Sequence, residues 1–166
     1  MDIQLFVGRT TPAPGQIEPI SNGERLLPKP YGGIWTSTYH PDFGSDWIAW
    51  ARSEFTAVLE GCQAHLLRLE RSKKLRILWI NSLPDLEAAH SQYPLDHHEI
   101  PSLDFEAIAR DYDGMHLTVA GQARTRLTFP LSLYGWDCES TIWFRWCFAE
   151  VIPIDINRWI KEEAEG

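Results

Sequence analysis

Four short stretches carry side chains of the kind that bind and cleave polar substrates. Arg9 closes the apolar run Ile3-Gln4-Leu5-Phe6-Val7-Gly8. Gly33-Ile34-Trp35-Thr36-Ser37-Thr38 joins a flexible turn to an indole and three hydroxyls. Trp136-Asp137-Cys138-Glu139-Ser140 holds two carboxylates two residues apart, which point to one face if the backbone is extended. An arginine binds anionic oxygens bidentately, an indole stacks on a flat ring, and a carboxylate stabilises positive charge growing on a sugar carbon. The fourth stretch, with His90, Asp96, His97, His98 and Glu99, is rich in metal-capable groups. Adjacent histidines point apart in most backbones and the spacing matches no common zinc site, so the loop reads as solvated polar surface and no metal is expected.

Each position also has a plainer role. Arg9 suits a surface charge at a strand end, Trp35 a core aromatic, and Asp137 and Glu139 a turn ahead of a strand. Tyr112-Asp113-Gly114-Met115-His116 reads as a glycine turn between helix and strand or as a pocket rim presenting Asp113 or His116. His40 reads as a polar strand end facing water or as a ligand contact.

Composition narrows the choice. The chain has 166 residues, 44% of them hydrophobic, which suits one domain over residues 1–166 with a sizeable core. Fifteen basic residues against 23 acidic ones give a formal charge of -8, the wrong sign for stable nucleic-acid binding. Cys62, Cys138 and Cys147 show no CxxC spacing, so neither a disulfide framework nor a zinc ribbon is expected, and a cytoplasmic, reducing setting fits. Met1-Asp2-Ile3-Gln4 lacks a basic signal region and no apolar run is long enough for a membrane span, so neither secretion nor membrane insertion is expected. There is no GxxxxGK[ST], GxGxxG after a strand, HExxH or GxSxG motif.

The elements that must position these side chains follow from periodicity. Residues 3–9 read as a strand, the proline-rich stretch 10–31 as a surface loop, and 32–38 as a second strand. Ile48, Ala51, Phe55, Val58 and Leu59 share one helical face from Ser45 to Gly61. Strands are expected at 63–69 and 74–80, joined hairpin-fashion by Glu70-Arg71-Ser72-Lys73. Ser82 caps a helix reaching about Tyr93, and Ser102 opens another through Phe105, Ile108 and Ala109 to Asp113-Gly114. Strands follow at 115–119, at 127–134 around Pro130, and at 141–152. In the last, Ile142, Phe144, Trp146 and Phe148 share one face, opposite Thr141, Trp143, Arg145 and Cys147. Asp155 caps a final helix with Ile156, Trp159 and Ile160. This order implies an α+β fold.

Taken together, Arg9, the Gly33–Thr38 strand and Glu139 resemble the ADP-ribosyltransferase superfamily. The resemblance covers three short segments. It implies split antiparallel β-sheets with flanking helices that grip NAD, used as a substrate without a metal. Arg9, Gly33, Trp35 and Ser37 would then contact the dinucleotide. Glu139 would be catalytic, and Asp137 would correspond to the first member of a Glu/Gln-x-Glu element that orients or deprotonates the acceptor. Asp stands here for the usual Glu or Gln, and Trp-Thr-Ser-Thr for Ser-Thr-Ser. The long separation from Ser37 to Glu139 is similar to the branch with helices inserted between these elements. The implied activity is mono-ADP-ribosyl transfer, a glycosyltransferase reaction, to a protein, nucleic-acid or small-molecule acceptor that the resemblance leaves open. The contrasting function is a non-catalytic module that binds a protein partner through an aromatic-rich surface.

Overall fold

The structure, a computed structural model, describes residues 2–23, 27–95 and 100–160. It is a mixed α+β fold. Among the described residues, nine strands run in chain order as β1 (Ile3–Gly8), β2 (Ile34–Thr38), β3 (Gln63–Leu69), β4 (Ile77–Ile80), β5 (Pro94–Leu95), β6 (Ser102–Leu103), β7 (Gly114–Leu117), β8 (Ser140–Trp143) and β9 (Phe148–Ile154). The helices are α1 (Asp46–Glu54), α2 (Leu83–Gln92), α3 (Phe105–Asp111), α4 (Val119–Thr125) and α5 (Asn157–Ile160). Seven strands form one sheet in the order β4-β7-β8-β2-β1-β3-β9, and β5 and β6 form a small hairpin sheet. Only β4 and β7 pair in parallel within the large sheet.

The large sheet is continuous but nearly divided. β1 and β2 share two register positions, Gln4↔Thr38 and Leu5↔Ser37, whereas β1 and β3 share six. Beyond Leu5, β1 stays with β3 and leaves β2, so the sheet forks into β4-β7-β8-β2 and β1-β3-β9. Alternation sends neighbouring side chains to opposite faces. On one face lie two apolar clusters, Ile80, Leu86, Met115 and Ile142 on one branch of the fork and Leu5, Ile48, Ala51 and Trp159 on the other. Helices α1, α2, α3 and α5 cover this face. The opposite face carries Ile34, Leu67, Trp143, Cys147 and Phe148, which unite both branches.

Local sequence explains most of the elements. Ser82 Oγ accepts from the Asp85 amide, as an N-cap should. Asp155 Oδ1 accepts from the Asn157 amide at the head of α5. The first helix ends at Glu54, and a 3-10 turn over Thr56–Leu59 replaces its last part, which leaves Phe55 exposed. The helix expected from Ser102 begins instead at Phe105, because Asp104 Oδ1 takes the Ala107 amide.

Three expectations fail for reasons of long-range packing. β3 and β4 are not a hairpin: β4 joins β7 at the far edge of the sheet. Residues 127–134 form no strand, and a helix lies just before them, α4, capped by Thr118 Oγ1 on the Gly121 amide. Gly121 is required there because a Cβ would stand 2.0 Å from the Ile80 carbonyl oxygen. The run 141–152 breaks after Trp143, so Trp143 and Trp146 do not share a strand, and both pack on the same cluster.

That break is geometrically telling. In a flat sheet β8 and β9 would stand about 19 Å apart, four strand spacings. The five steps from Trp143 to Phe148 span at most about 18 Å fully stretched. Yet the Trp143 and Phe148 rings lie only 5.1 Å apart. The sheet therefore curls around this cluster, drawn in by a short link whose Cys147 carbonyl accepts from the Glu70 amide.

Candidate functional site

The fork between β1 and β2 opens into a cleft of about 450 Å³. Leu5 and Val7 line it from β1, and Trp35 and Ser37 from β2. Trp47 and Trp50, three residues apart and so on one face of α1, form the facing wall. The segment ahead of β8 supplies Trp136, Asp137 and Cys138, and Ser140 opens β8 itself. Trp136 is buried, donates from Nε1 to the Pro28 carbonyl at 2.9 Å, and meets Trp35 edge-on at 4.7 Å.

β2 and β8 pair through Ile34↔Trp143, Trp35↔Ile142 and Thr36↔Thr141. Two more steps along this register bring Thr38 beside Glu139. Glu139 is 5% exposed and sits immediately behind Ser37 and Ser140. Its Oε2 accepts from Ser37 Oγ at 2.7 Å and from the Thr38 amide at 2.9 Å, and its Oε1 accepts from Thr38 Oγ1 at 2.8 Å. Such charge-assisted bonds are the strong ones. His116 Nδ1 lies 3.5 Å from Oε1 and 2.6 Å from Thr141 Oγ1. The carboxylate is thereby fixed in place between two strands a hundred residues apart in the chain.

The surroundings titrate accordingly. Burial raises the Asp46 carboxyl above its ordinary value, and the Glu139 charge adds to this while His40 opposes it. Burial lowers His116, with Glu139 pulling the other way. Burial also pushes the Cys138 thiol up to about 11, helped by Glu139, Asp46 and Asp137 against a hydrogen bond with Ser140. Cys138 is therefore a neutral thiol at physiological pH, unsuited to nucleophilic attack.

Of the residues singled out from the sequence, Trp35, Ser37, Asp137 and Glu139 come together at this cleft. Asp137 and Glu139 do not share a strand face, because both precede β8. Asp137 lines the cleft and pairs with Arg126, the residue just past α4, at 3.3 Å, while Glu139 is buried. Gly33 shapes the backbone: its φ is +68°, and a Cβ would stand 2.7 Å from the Trp143 carbonyl oxygen. Arg9 is exposed just past β1 and forms no ion pair among the described residues. Arg9 lies four residues past Leu5, where β1 has already left β2, and it is not among the residues that line the cleft.

The rim positions resolve differently. His116 is buried beside Glu139 and stacks edge-on with Trp79 at 4.6 Å. Asp113 accepts from the Arg76 amide and pairs with Arg145. His40 stacks on Phe43. Asp96, His97, His98 and Glu99 lie outside the described residues, and among the described residues no group of three His, Cys, Asp or Glu is placed to hold a metal. Among them, too, no helix is long and apolar enough to cross a membrane.

Sequence reasoning quoted Thr38 within its candidate strand but gave it no role of its own, and it missed Asp46, Lys29, Trp47 and Trp50. Trp47 and Trp50 carried a signal in their spacing of three. Lys29 and Asp46 carried none, since nothing local ties them to a carboxylate or a ring far along the chain.

No family model matches the sequence, no curated protein matches it, and no solved structure matches the fold.

Proposed function

We propose that this protein is a mono-ADP-ribosyltransferase that uses NAD. The observation that carries the reading is Glu139, a buried carboxylate held by Ser37 and Thr38 directly behind the floor of a tryptophan-lined cleft. In the reaction the bond between nicotinamide and ribose breaks, nicotinamide leaves, and an acceptor nucleophile takes its place at the sugar carbon. Positive charge grows on the ribose as the bond breaks, and a fixed negative charge stabilises it most when it need not reorganise. Ser37 and Thr38 provide that fixity. Trp35, Trp47 and Trp50 offer flat apolar surface to the two rings of the dinucleotide, with Trp136 buried against Trp35.

The fork between β1 and β2 supports the finer fold reading, a sheet split around a dinucleotide, even though two residue pairs still join the branches and β4 pairs in parallel with β7 in one of them. Asp137 lies at the cleft wall, where it is suited to orient an acceptor, and its Arg126 partner must then yield or turn. The three cysteines are free, in keeping with a reducing compartment. The aromatic composition also favours a cleft over a recognition surface: of eight tryptophans, only Trp79 is exposed.

The test is incubation with NAD labelled in its nicotinamide and adenosine halves. Wild-type protein releases nicotinamide and leaves ADP-ribose on an acceptor or on water, and Glu139→Gln does neither at a comparable rate. A folded wild type that neither binds nor cleaves NAD would overturn the proposal.

A further inference from the structure

His116 does not line the cleft, yet it is an ionisable side chain buried against the carboxylate that the proposed chemistry needs. It stands in a row that crosses four strands, with Trp79↔His116 between β4 and β7, His116↔Thr141 between β7 and β8, and Thr141↔Thr36 between β8 and β2. Trp79 meets the imidazole edge-on at 4.6 Å, and the residue is 5% exposed. The ring is therefore held from both neighbouring strands and has little room to turn.

Its orientation fixes where its hydrogen sits. Nδ1 lies 2.6 Å from Thr141 Oγ1 and 3.5 Å from Glu139 Oε1. A neutral imidazole carries a hydrogen on one nitrogen and a lone pair on the other. A lone pair on Nδ1 would face the carboxylate oxygen and be repelled, whereas an Nδ1–H group donates to Thr141 Oγ1 and turns its positive end toward Oε1. The neutral ring is therefore assigned its hydrogen on Nδ1. Oε1 keeps its bond from Thr38 Oγ1, so the neutral ring adds a dipole beside the carboxylate and no charge. A second hydrogen, on Nε2, makes the ring a cation against Oε1 in a buried site, where screening is weak.

Resting on the NAD reading above, we infer that His116 is a positioning residue for the transfer: as a neutral ring it steadies Glu139 and leaves its negative charge whole, and as a cation it cancels that charge, so turnover requires His116 neutral. Burial lowers His116 from its ordinary 6.5, the Glu139 charge raises it, and the positive amino end of the chain lowers it. Asp46, raised by burial and then by Glu139, is the other carboxyl coupled to this centre. The active form is complete above pH 6.5 and is lost as pH falls through the folded value of His116.

The experiment measures single-turnover release of nicotinamide from NAD by wild type and His116→Asn between about pH 7.5 and 4.5, a range that spans histidine titration. Circular dichroism at each pH confirms the fold. Asparagine places an N–H where Nδ1–H stood and takes up no proton. The wild-type rate falls about tenfold per pH unit below a midpoint under 6.5, as one titrating group requires. His116→Asn shares the wild-type plateau and holds it to lower pH. In parallel, nitrogen-15 shifts of the His116 ring show the neutral form protonated on Nδ1, and in Glu139→Gln they show a lower pKa because the charge that raised it is gone. Where wild type cleaves NAD, an acid limb that stays in place in His116→Asn, a plateau lost in that folded variant, or a neutral ring protonated on Nε2 removes His116 from the reaction and leaves the NAD reading standing. If folded wild type neither binds nor cleaves NAD, both fall.

Discussion

Strand β2 has two flanks, and they behave in opposite ways. Toward β8 it pairs over three consecutive positions, and the contact runs on to clasp Glu139. Toward β1 it pairs twice and then parts company. The closed flank fixes a charge; the open flank makes room for something to meet it. The two carboxylates ahead of β8 divide along the same line. Glu139 belongs to the closed flank and is held by neutral donors, whereas Asp137 belongs to the cleft and is held by a guanidinium. A catalytic carboxylate benefits from immobility and an acceptor-handling one from access, so the contrast matches the roles proposed for them.

On the sheet's far face one side chain stitches the flanks together. Trp143 Nε1 donates to Thr36 Oγ1 at 2.8 Å, Thr36 Oγ1 donates to Gln4 Oε1 at 2.7 Å, and the indole rests on Phe148. Removing it should have the largest effect on the comparison. Trp143→Ala is expected to cost about 3–5 kcal/mol, read as a shift of the urea midpoint, because a large buried ring is deleted and Thr36 loses a donor. A loss below about 1 kcal/mol would mean that the two flanks hold together without it.

Glu139→Gln keeps the size of the side chain and removes its charge. Turnover should fall by about a hundredfold or more, roughly 2.7 kcal/mol at the transition state, while NAD affinity by calorimetry changes little. Unchanged single-turnover rates in a folded variant would take Glu139 out of the chemistry. Gly33→Ala tests the open end of the fork, four residues from Ser37, where β1 and β2 last pair. Its positive φ and the nearby Trp143 carbonyl predict a loss of about 1–3 kcal/mol in thermal or urea unfolding.

The smallest effect concerns pH. Burial lowers both His116 and His65 from an ordinary 6.5, so below that pH the unfolded chain binds protons that the folded one refuses. Stability from these groups is complete above pH 6.5 and is lost as pH falls toward their folded values. Melting temperatures at successive pH steps from 7.5 to 5.5 should fall, and His116→Asn should make that slope shallower. An equal slope in the variant would show that the folded chain protonates His116 as readily as the unfolded one does.

The sequence disclosed what depends on near neighbours. β1, β2 and α2 were legible because their periodicity and the Ser82 cap are local. α4 was not, since Val-Ala-Gly-Gln-Ala-Arg-Thr has a weak apolar stripe and its Gly121 answers to a carbonyl forty residues earlier. The break after Trp143 was hidden because Phe144-Arg145-Trp146-Cys147 continues the alternation of a strand without glycine or proline. At the site, Ser37 and Glu139 were found together through the order of three motifs, though no periodicity links positions 102 residues apart. Thr38 and His116 join that contact only through cross-strand register, which no single segment encodes.

The link from Trp143 to Phe148 has a consequence for how such a chain tolerates change in length. It bends at Phe144 and Arg145 and joins strands that a flat sheet would hold apart, so its residue count limits how far the sheet can uncurl. Inserting two or three residues there would give the curl slack and let the fork widen on the opposite face. The same insertion at the exposed turn Arg71–Lys73 meets no such limit. Among variants of this chain, length changes should accumulate at the second place and be purged from the first.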